Sequence, residues 1–350
     1  MGSAGVPVVV GLDNGGTSNN ATVLTVDGQF LVDGLMETPS EVQAGPEAAI
    51  EALARAFDGV LASTGVPRGL VRAVGLDTPG PASAVGVISS RGSTNFSQPA
   101  WRGYDVRGAL ERRLGLPVVY LNDGNAAALY AHHTYFGADA MRRSSVSAIV
   151  GTGLGGGLVE GGRVIAGAAG MAGELGHVHL PLTGLLAPGQ PEPVCACGFV
   201  GDAESIASLT GIARNLLPYW LTRFPGHPLA VEPAPRAAKL VRGLGEQGDP
   251  LALEIFTQQA MAIGRLFTLA ANFTDPHAYF VGGGVVEAAP AFRDWFLGTV
   301  REHTVLREEQ AAVAAFALVP DRDMAGARGV ALAALEALRA EPAPEPLVNG

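Results

Sequence analysis

Three short segments carry residue types able to handle a phosphate. Leu121-Asn122-Asp123-Gly124-Asn125-Ala126 sets a carboxylate just past an expected buried strand, 118–121, where a helix begins. Gly151-Thr152-Gly153-Leu154-Gly155-Gly156-Gly157 is a glycine-rich turn after a second expected strand, 146–150. Asp13-Asn14-Gly15-Gly16-Thr17 repeats the strand-then-glycine design near the N-terminus. Glycine turns expose successive N–H groups to an anion. Phosphoryl transfer needs positioning, charge neutralisation and one base for the acceptor's proton. The pattern points to a phosphoryl-transfer site assembled from both halves of the chain, with Asp123 as base. Taken alone, Asp123 also suits a helix N-cap. A carboxylate between two anion-binding loops, however, repels phosphate unless it takes part in the chemistry.

Gly151 to Gly156 satisfies G-x-G-x-x-G, and Glu174 lies about where a ribose-binding acid would. A dinucleotide fingerprint must open a helix, yet here the glycines run into Leu158-Val159-Glu160-Gly161-Gly162-Arg163-Val164-Ile165, which reads as a hairpin. Lys239 is the only lysine, so neither a Walker loop nor a kinase strand lysine exists. Phosphate must be held by backbone N–H groups, hydroxyls, a metal ion or arginine. A second constellation follows: Glu174-Leu175-Gly176-His177, then Cys195-Ala196-Cys197-Gly198-Phe199-Val200-Gly201-Asp202-Ala203-Glu204. His177, Cys195, Cys197 and Asp202 have the ligand types and short spacing of a zinc knot, with Asp202 the hardest donor.

The elements that must position these groups follow from periodicity. Strands are expected at 8–12, 21–26, 30–32, 71–76 and 118–121, with helices at 46–61, 106–114 and 125–135. The pattern then restarts with strand 146–150 and a hairpin about Gly161-Gly162. Helices from Glu204, a long helix 250–273, strand 279–281 with Gly282-Gly283-Gly284, strand 313–319 and helix 325–338 complete it. Two α/β halves, each opening on a strand, a turn and a glycine loop, read as a duplicated domain. Residues 225–236 read as a proline-rich surface insertion and 340–350 as a frayed tail.

At 350 residues the chain has room for two ordinary cores, and 48% of it is hydrophobic, a globular enzyme composition. A net charge of -10 argues against nucleic acid as partner. The least charged stretch, 146–173, is broken by glycines, Glu160 and Arg163, so no membrane span is expected. Residues 1–7 lead straight into the first strand, so no secretory leader is expected. Two cysteines one residue apart make no disulfide framework and point to the reducing cytoplasm.

The motifs, taken in order, resemble the ROK (repressor, open reading frame, kinase) family of sugar kinases over almost the whole length. Asp13 to Thr17 is similar to its first phosphate motif and Gly151 to Gly157 to its second. Asn122 to Ala127 resembles its catalytic segment, which usually has Ala where Gly124 stands. Glu174 to His177 matches its Glu-x-Gly-His motif, Asp275-Pro276 through Gly284 its late nucleotide-side strand, and Met324-Ala325-Gly326-Ala327 the start of its last helix. The resemblance implies an α/β, two-lobed actin-like (ribonuclease H-like, duplicated) fold with an interdomain cleft. It implies lobes at 1–122 and 123–323, with a final helix at about 324–338 packing back on the first. It casts Asp123 as base toward a hexose hydroxyl, usually the 6-hydroxyl, with Asn122, Glu174, His177, Glu204 and Asn95 as sugar ligands. Asp13, Gly15, Gly16, Thr17, Gly151, Thr152, Gly153, Gly282, Gly283 and Gly284 fall on the nucleotide side. ATP, Mg²⁺ and a structural Zn²⁺ are the implied cofactors, and a homo-oligomer, dimer or tetramer, the implied assembly. Two departures stand out. Asn95-Phe96 is separated from Trp101, where the family has Asn-Leu soon followed by Trp, and Asp202 replaces the third cysteine of the zinc motif. Both point away from plain glucose. The alternative is a sugar-sensing ROK regulator; that branch carries an N-terminal DNA-binding helix-turn-helix, whereas here residues 1–7 precede the first expected strand and the chain is acidic. A catalytically silent sugar-binding protein is a further alternative, against which Asp123 argues. The sequence therefore reads as an ATP-dependent sugar kinase.

Overall fold

Strands form where short runs of β-branched residues alternate with turn formers, and glycine decides how closely helices approach them. In the computed structural model, residues 5–80, 82–89, 96–320 and 322–340 are described. The chain divides into two compact units, Met1–Tyr130 with Ala166–Met171 and Asp323–Gly350, and Ala131–Ile165 with Ala172–Arg322.

The first unit is built on strands β1 (Val8–Asn14), β2 (Ser18–Thr25), β3 (Glu37–Pro39), β4 (Val71–Thr78) and β5 (Val118–Asn122), ordered β3-β2-β1-β4-β5. The first three form an antiparallel meander whose third strand is 37–39, while β4 and β5 join in parallel. Helix Pro46–Thr64, closed by Gly65 in the left-handed conformation, buries Leu53, Phe57 and Val60 against one face of the sheet. Helix Arg322–Arg339 covers β1 and β4 at backbone distance. A Cβ on Gly11 would lie 1.9 Å from the Ala327 carbonyl oxygen, and one on Gly75 2.0 Å from that of Val330. These two strand glycines admit the helix.

The second unit repeats the plan with β6 (Ser144–Val150), β7 (Leu154–Glu160), β8 (Arg163–Val164), β9 (Ala278–Gly283) and β10 (Ala315–Leu318), ordered β10-β9-β6-β7-β8. Read from the other edge, β8-β7-β6-β9-β10 follows the same path as the first sheet. The long helix Pro250–Thr274, capped by the Asp249 carboxylate on the Ala252 N–H, lays Ile255, Ile263 and Phe267 into the core of this unit.

Three expectations are corrected. No strand forms at 30–32. Leu24 and Phe30 make a single bridge, and the segment is instead pinned by Arg328, which stacks over the Phe30 ring and donates to the Val32 carbonyl. Helix begins at Leu209, not Glu204, because Asp202 to Ser208 spend their polar groups on local turns that end in the Ser208 cap. The proline-rich stretch holds a 3-10 turn, Pro228–Val231, with Leu229 buried, and leads into helix Ala234–Glu246. Residues 341–350, read as a tail, lie outside the described residues. Among those described, no helix is long and apolar enough to cross a membrane.

Candidate functional site

In the first unit the polar groups gather at the carboxyl ends of β1, β4 and β5, where parallel sheets present loops to ligands. Asn122 ends β5, and its Oδ1 accepts the Asn125 N–H at 2.8 Å. It thus caps helix Asp123–Phe136. Asp123 stands one position inside the helix, exposed, with its Oδ1 on the Gly124 N–H at 2.7 Å. The cap role weighed for Asp123 therefore falls to Asn122, and the Asp123 carboxylate faces solvent. The hairpin turn between β1 and β2 carries Gly15, Gly16 and Thr17. Its Gly15 N–H is tied to the Ser18 carbonyl, and the Thr17 carbonyl accepts from Ser40.

Asp13 pairs in register with Asp77 on the neighbouring strand. Asp77 is fully buried, whereas Asp13 is partly exposed. Burial raises the Asp13 pKa, against hydrogen bonds from Asp77 and Asn20 that lower it. Burial pushes Asp77 well above the usual carboxylate range, and the charges of Asp13 and Asp123 add to the push. A hydrogen bond joins the two carboxyls only when one of them holds a proton. Asp77 lies beyond the expected strand 71–76, which in the structure runs two residues further, to Thr78. The available signal was an Asp at the end of an apolar run, Val74-Gly75-Leu76-Asp77, like Asp13 after Val10-Gly11-Leu12.

Of the expected walls, Trp101 is fully buried, with its indole N–H on the Val42 carbonyl and its ring 4.6 Å from that of Phe96. It belongs to the core of this unit. Asn95 lies outside the described residues.

In the second unit β6 and β7 form the hairpin read from sequence, closing at Val150 opposite Leu154. The carbonyls of Gly151 and Thr152 are drawn away by the N–H groups of Leu209 and Thr210. The N–H groups of Thr152 and Gly153 have no partner among the described residues, which leaves them to an anion. Behind the loop, Glu204 Oε2 accepts the Leu154 N–H at 3.0 Å, and its Oε1 lies 3.2 Å from the Cys195 Sγ. A Cβ on Gly153 would come within 2.5 Å of that Oε2, so the glycine makes room for the clamp. Gly282 and Gly283 end β9 beside Ile149 and Val150. A Cβ on Gly283, at φ +90°, would sit 1.8 Å from the Val150 carbonyl oxygen. Gly284 accepts from Arg242 through its carbonyl.

Glu174 leads into the 3-10 turn Leu175–His177, which pairs with the segment carrying Asp202 and Glu204 through Glu204 N–H to Gly176 and Ala203 N–H to Val178. Cys195 to Phe199 make a tight turn, with Gly198 at φ +99°. His177 Nδ1, both Sγ atoms and an Asp202 oxygen all lie within 4.8 Å of one another. The two sulfurs are 3.2 Å apart, His177 Nδ1 is 3.7 Å from the Cys197 Sγ and 3.1 Å from Asp202 Oδ2, and Cys197 Sγ is 4.0 Å from that oxygen. Zinc bonds of ordinary length give tetrahedral edges of about 3.3–3.8 Å, so the four donors fit a zinc ion. Asp202 is held for this by the Ser205 N–H on its other oxygen. Burial raises the Cys195 thiol pKa, a cost that a bound cation offsets. Phe199, unremarked in the sequence, is half exposed and lies against the rings of His177 and His179.

Comparison with known proteins agrees with these motifs. A family model described as the ROK family matches residues 9–337. The chain is 30% identical over 310 residues to a glucokinase of Streptomyces coelicolor, covering 83% of this chain and 89% of the relative. It is 30% identical over 274 residues to an N-acetylmannosamine kinase of Escherichia fergusonii, covering 78% and 82%. Among solved structures, a ROK hexokinase from Thermus thermophilus matches with a TM-score of 0.73 at 32% identity, covering 95% of this chain and 99% of that one. A ROK-family glucokinase from Streptomyces griseus, in complex with glucose and AMPPNP, matches with a TM-score of 0.68 at 27% identity, covering 94% and 99%. With the motifs in family order and the sheets of these structures reproduced, the chain belongs to the ROK family and has its actin-like fold.

Proposed function

We propose that this chain, a sugar kinase of the ROK family, transfers the γ-phosphoryl group of ATP to the 6-hydroxyl of a hexose or hexose derivative. The observation that carries the reading is the division of labour at the start of helix Asp123–Phe136, where Asn122 caps and Asp123 is left exposed. As the sugar oxygen attacks the γ-phosphorus, Asp123 takes its proton and the bond to the β-phosphate oxygen breaks, giving a sugar phosphate and ADP. The N–H groups of Thr152 and Gly153 and the hairpin Gly15 to Thr17 are the anion holders, since the single lysine, Lys239, lies in neither loop. Magnesium bound with ATP supplies charge neutralisation.

Glu174, His177 and Glu204, with Asn122 and Asn95, are the proposed sugar ligands. His177, Cys195, Cys197 and Asp202 would hold zinc, whose contribution is positional. With Nδ1 turned to the cluster, the Nε2 edge of His177 is the one left for a sugar hydroxyl. ADP production by the purified chain, measured with Mg²⁺-ATP across hexoses, hexosamines and N-acetylhexosamines, tests the reading. Sugar-dependent ADP and a 6-phosphosugar are expected. Sugar binding without turnover on every member of the panel overturns it in favour of a sensor.

A further inference from the structure

Asp13 belongs to a glycine hairpin with a role in the reading above, whereas Asp77 belongs to nothing described so far. Their Cα atoms are in register on adjacent parallel strands, so both side chains leave the same face about 5 Å apart. Asp77 is fully buried, and neither of its oxygens has a donor among the described residues. Asp13 Oδ2 accepts from Asn20 Nδ2 at 3.3 Å, while Asn20 Oδ1 is buried and likewise unpartnered. Helix Arg322–Arg339 walls the pair closely. A Cβ on Gly326 would come within 2.9 Å of the Asp13 carboxyl and 3.0 Å of Asp77 Oδ2. No lysine, arginine or histidine is among the groups acting on either carboxyl.

Counting hydrogen-bond capacity decides what completes the cluster. Buried carboxylates are paired, protonated or bound to metal. A single shared proton would satisfy one oxygen of each acid, and Asn20 serves Asp13. The second Asp77 oxygen and the Asn20 oxygen would still lack partners, a cost of about 1–3 kcal/mol for each buried group. A divalent cation neutralises both acids and takes up the oxygens together. Donors that are all oxygen suit magnesium or manganese rather than a thiophilic metal, and the partly exposed Asp13 leaves a way in.

We propose that Asp13 and Asp77, with the side-chain oxygen of Asn20, form a divalent-cation site that fills in the absence of nucleotide. Asp77 is its ligand from outside the glycine motif. The use of this cation in phosphoryl transfer rests on the kinase reading, but its binding does not.

The test uses the full chain, stripped of metal, with one equivalent of zinc restored so that the thiolates are occupied. MnCl₂ is titrated without nucleotide or sugar, and free Mn²⁺ is read by electron paramagnetic resonance. We expect one Mn²⁺ bound per chain, displaced by excess Mg²⁺, and binding weakened about tenfold or more in Asp77→Asn. Manganese should also raise the melting temperature of the wild type and leave that of Asp77→Asn unmoved. Absence of binding, or equal affinity in a cooperatively melting Asp77→Asn, overturns the site. If that variant does not fold, Asn20→Ala reads the same cluster, and unchanged affinity there overturns it equally. With ATP fixed, Asp77→Asn should raise the Mg²⁺ concentration needed for half-maximal rate. A chain that binds Mn²⁺ through Asp77 yet phosphorylates no sugar keeps the site and sinks the kinase reading instead.

Discussion

The two sheets follow one path and put different chemistry at its matching points. In the first, the last registered pair of β1 and β4 is Asp13 beside Asp77. In the second, the corresponding strands β6 and β9 bring Ile149 beside Gly282 and Val150 beside Gly283. The hairpin that follows is Asp13 to Thr17 in one unit and Gly151 to Gly153 in the other. The first unit therefore gathers carboxylates at its strand ends, with Asp123 at the end of β5 as a third. The second keeps those places neutral and offers N–H groups, with its one nearby acid, Glu204, turned to the back of the loop. Duplication supplies a frame. Under the proposed function, the side chains at these strand ends assign cations and protons to one copy and an anion to the other.

Asp123→Asn strikes hardest at this division. Removing a general base typically costs about 10²–10⁴ in rate, while an amide keeps a hydrogen bond to the sugar. Steady-state kinetics should show that fall in kcat, with sugar affinity by calorimetry changed only several-fold. Glu204→Gln in the other unit should raise the sugar KM more than it lowers kcat. Equal loss of kcat in both variants would break the assignment of proton chemistry to one unit.

What could be read in advance was whatever lies close in sequence. The hairpin after Val150 was legible because the glycines run into a second alternating strand. Helix 106–114 was placed residue for residue, with Asp105 as its cap and Gly115 as its end. What escaped depends on distant partners. The Phe30 segment is held by Arg328, almost three hundred residues later. Asp77 matters only because β4 lies beside β1, a pairing that no local pattern states. The knuckle residues were legible as a set. That both oxygens of Glu204 are engaged, one by the phosphate loop and one by a thiol, was not.

The matching strand ends can also be compared by stability. Gly283→Ala forces a Cβ against the Val150 carbonyl at a positive φ. Strain with no flexible neighbour to absorb it should cost on the order of 3 kcal/mol or more. Its counterpart in the first sheet, Thr78, shares a hydrogen bond of 2.7 Å with the Tyr120 hydroxyl. Thr78→Ala should lose only about 1 kcal/mol, the ordinary worth of one hydrogen bond. Chemical denaturation of both variants checks the contrast. Similar losses would mean that the close approach of β9 to β6 relaxes freely.

A third contrast lies in the metals the two proposed sites should prefer. The thiolate and imidazole donors of the second unit should retain zinc, and the all-oxygen cluster of the first should not. Cys195→Ser should lose zinc, read by metal analysis of the purified protein. Asp202→Cys, which supplies a third thiolate, should hold it about tenfold more firmly against a chelator. Zinc retained in full by Cys195→Ser would place the ion elsewhere.

The smallest effect concerns a buried imidazole of the second unit, His132. The imidazole is fully buried on helix Asp123–Phe136, with Nδ1 2.9 Å from the Ser145 hydroxyl and Nε2 2.9 Å from the Ala140 carbonyl. A neutral ring satisfies both contacts, with Nε2–H donating and Nδ1 accepting. Burial lowers its pKa to about 4 from the ordinary 6.5, against the Ala140 hydrogen bond, which raises it. The folded pKa thus lies below the unfolded one, so between these values the unfolded chain binds more protons. The stability this group contributes is present above pH 6.5 and is lost as pH falls toward 4. The slope approaches but does not exceed about 1.4 kcal/mol per pH unit. Melting temperatures measured from pH 7.5 down to 5 should decline in the wild type, and His132→Gln, destabilised at neutral pH, should decline less steeply over that window. Parallel curves for the two proteins would assign the acid sensitivity to other groups and remove His132 from the account.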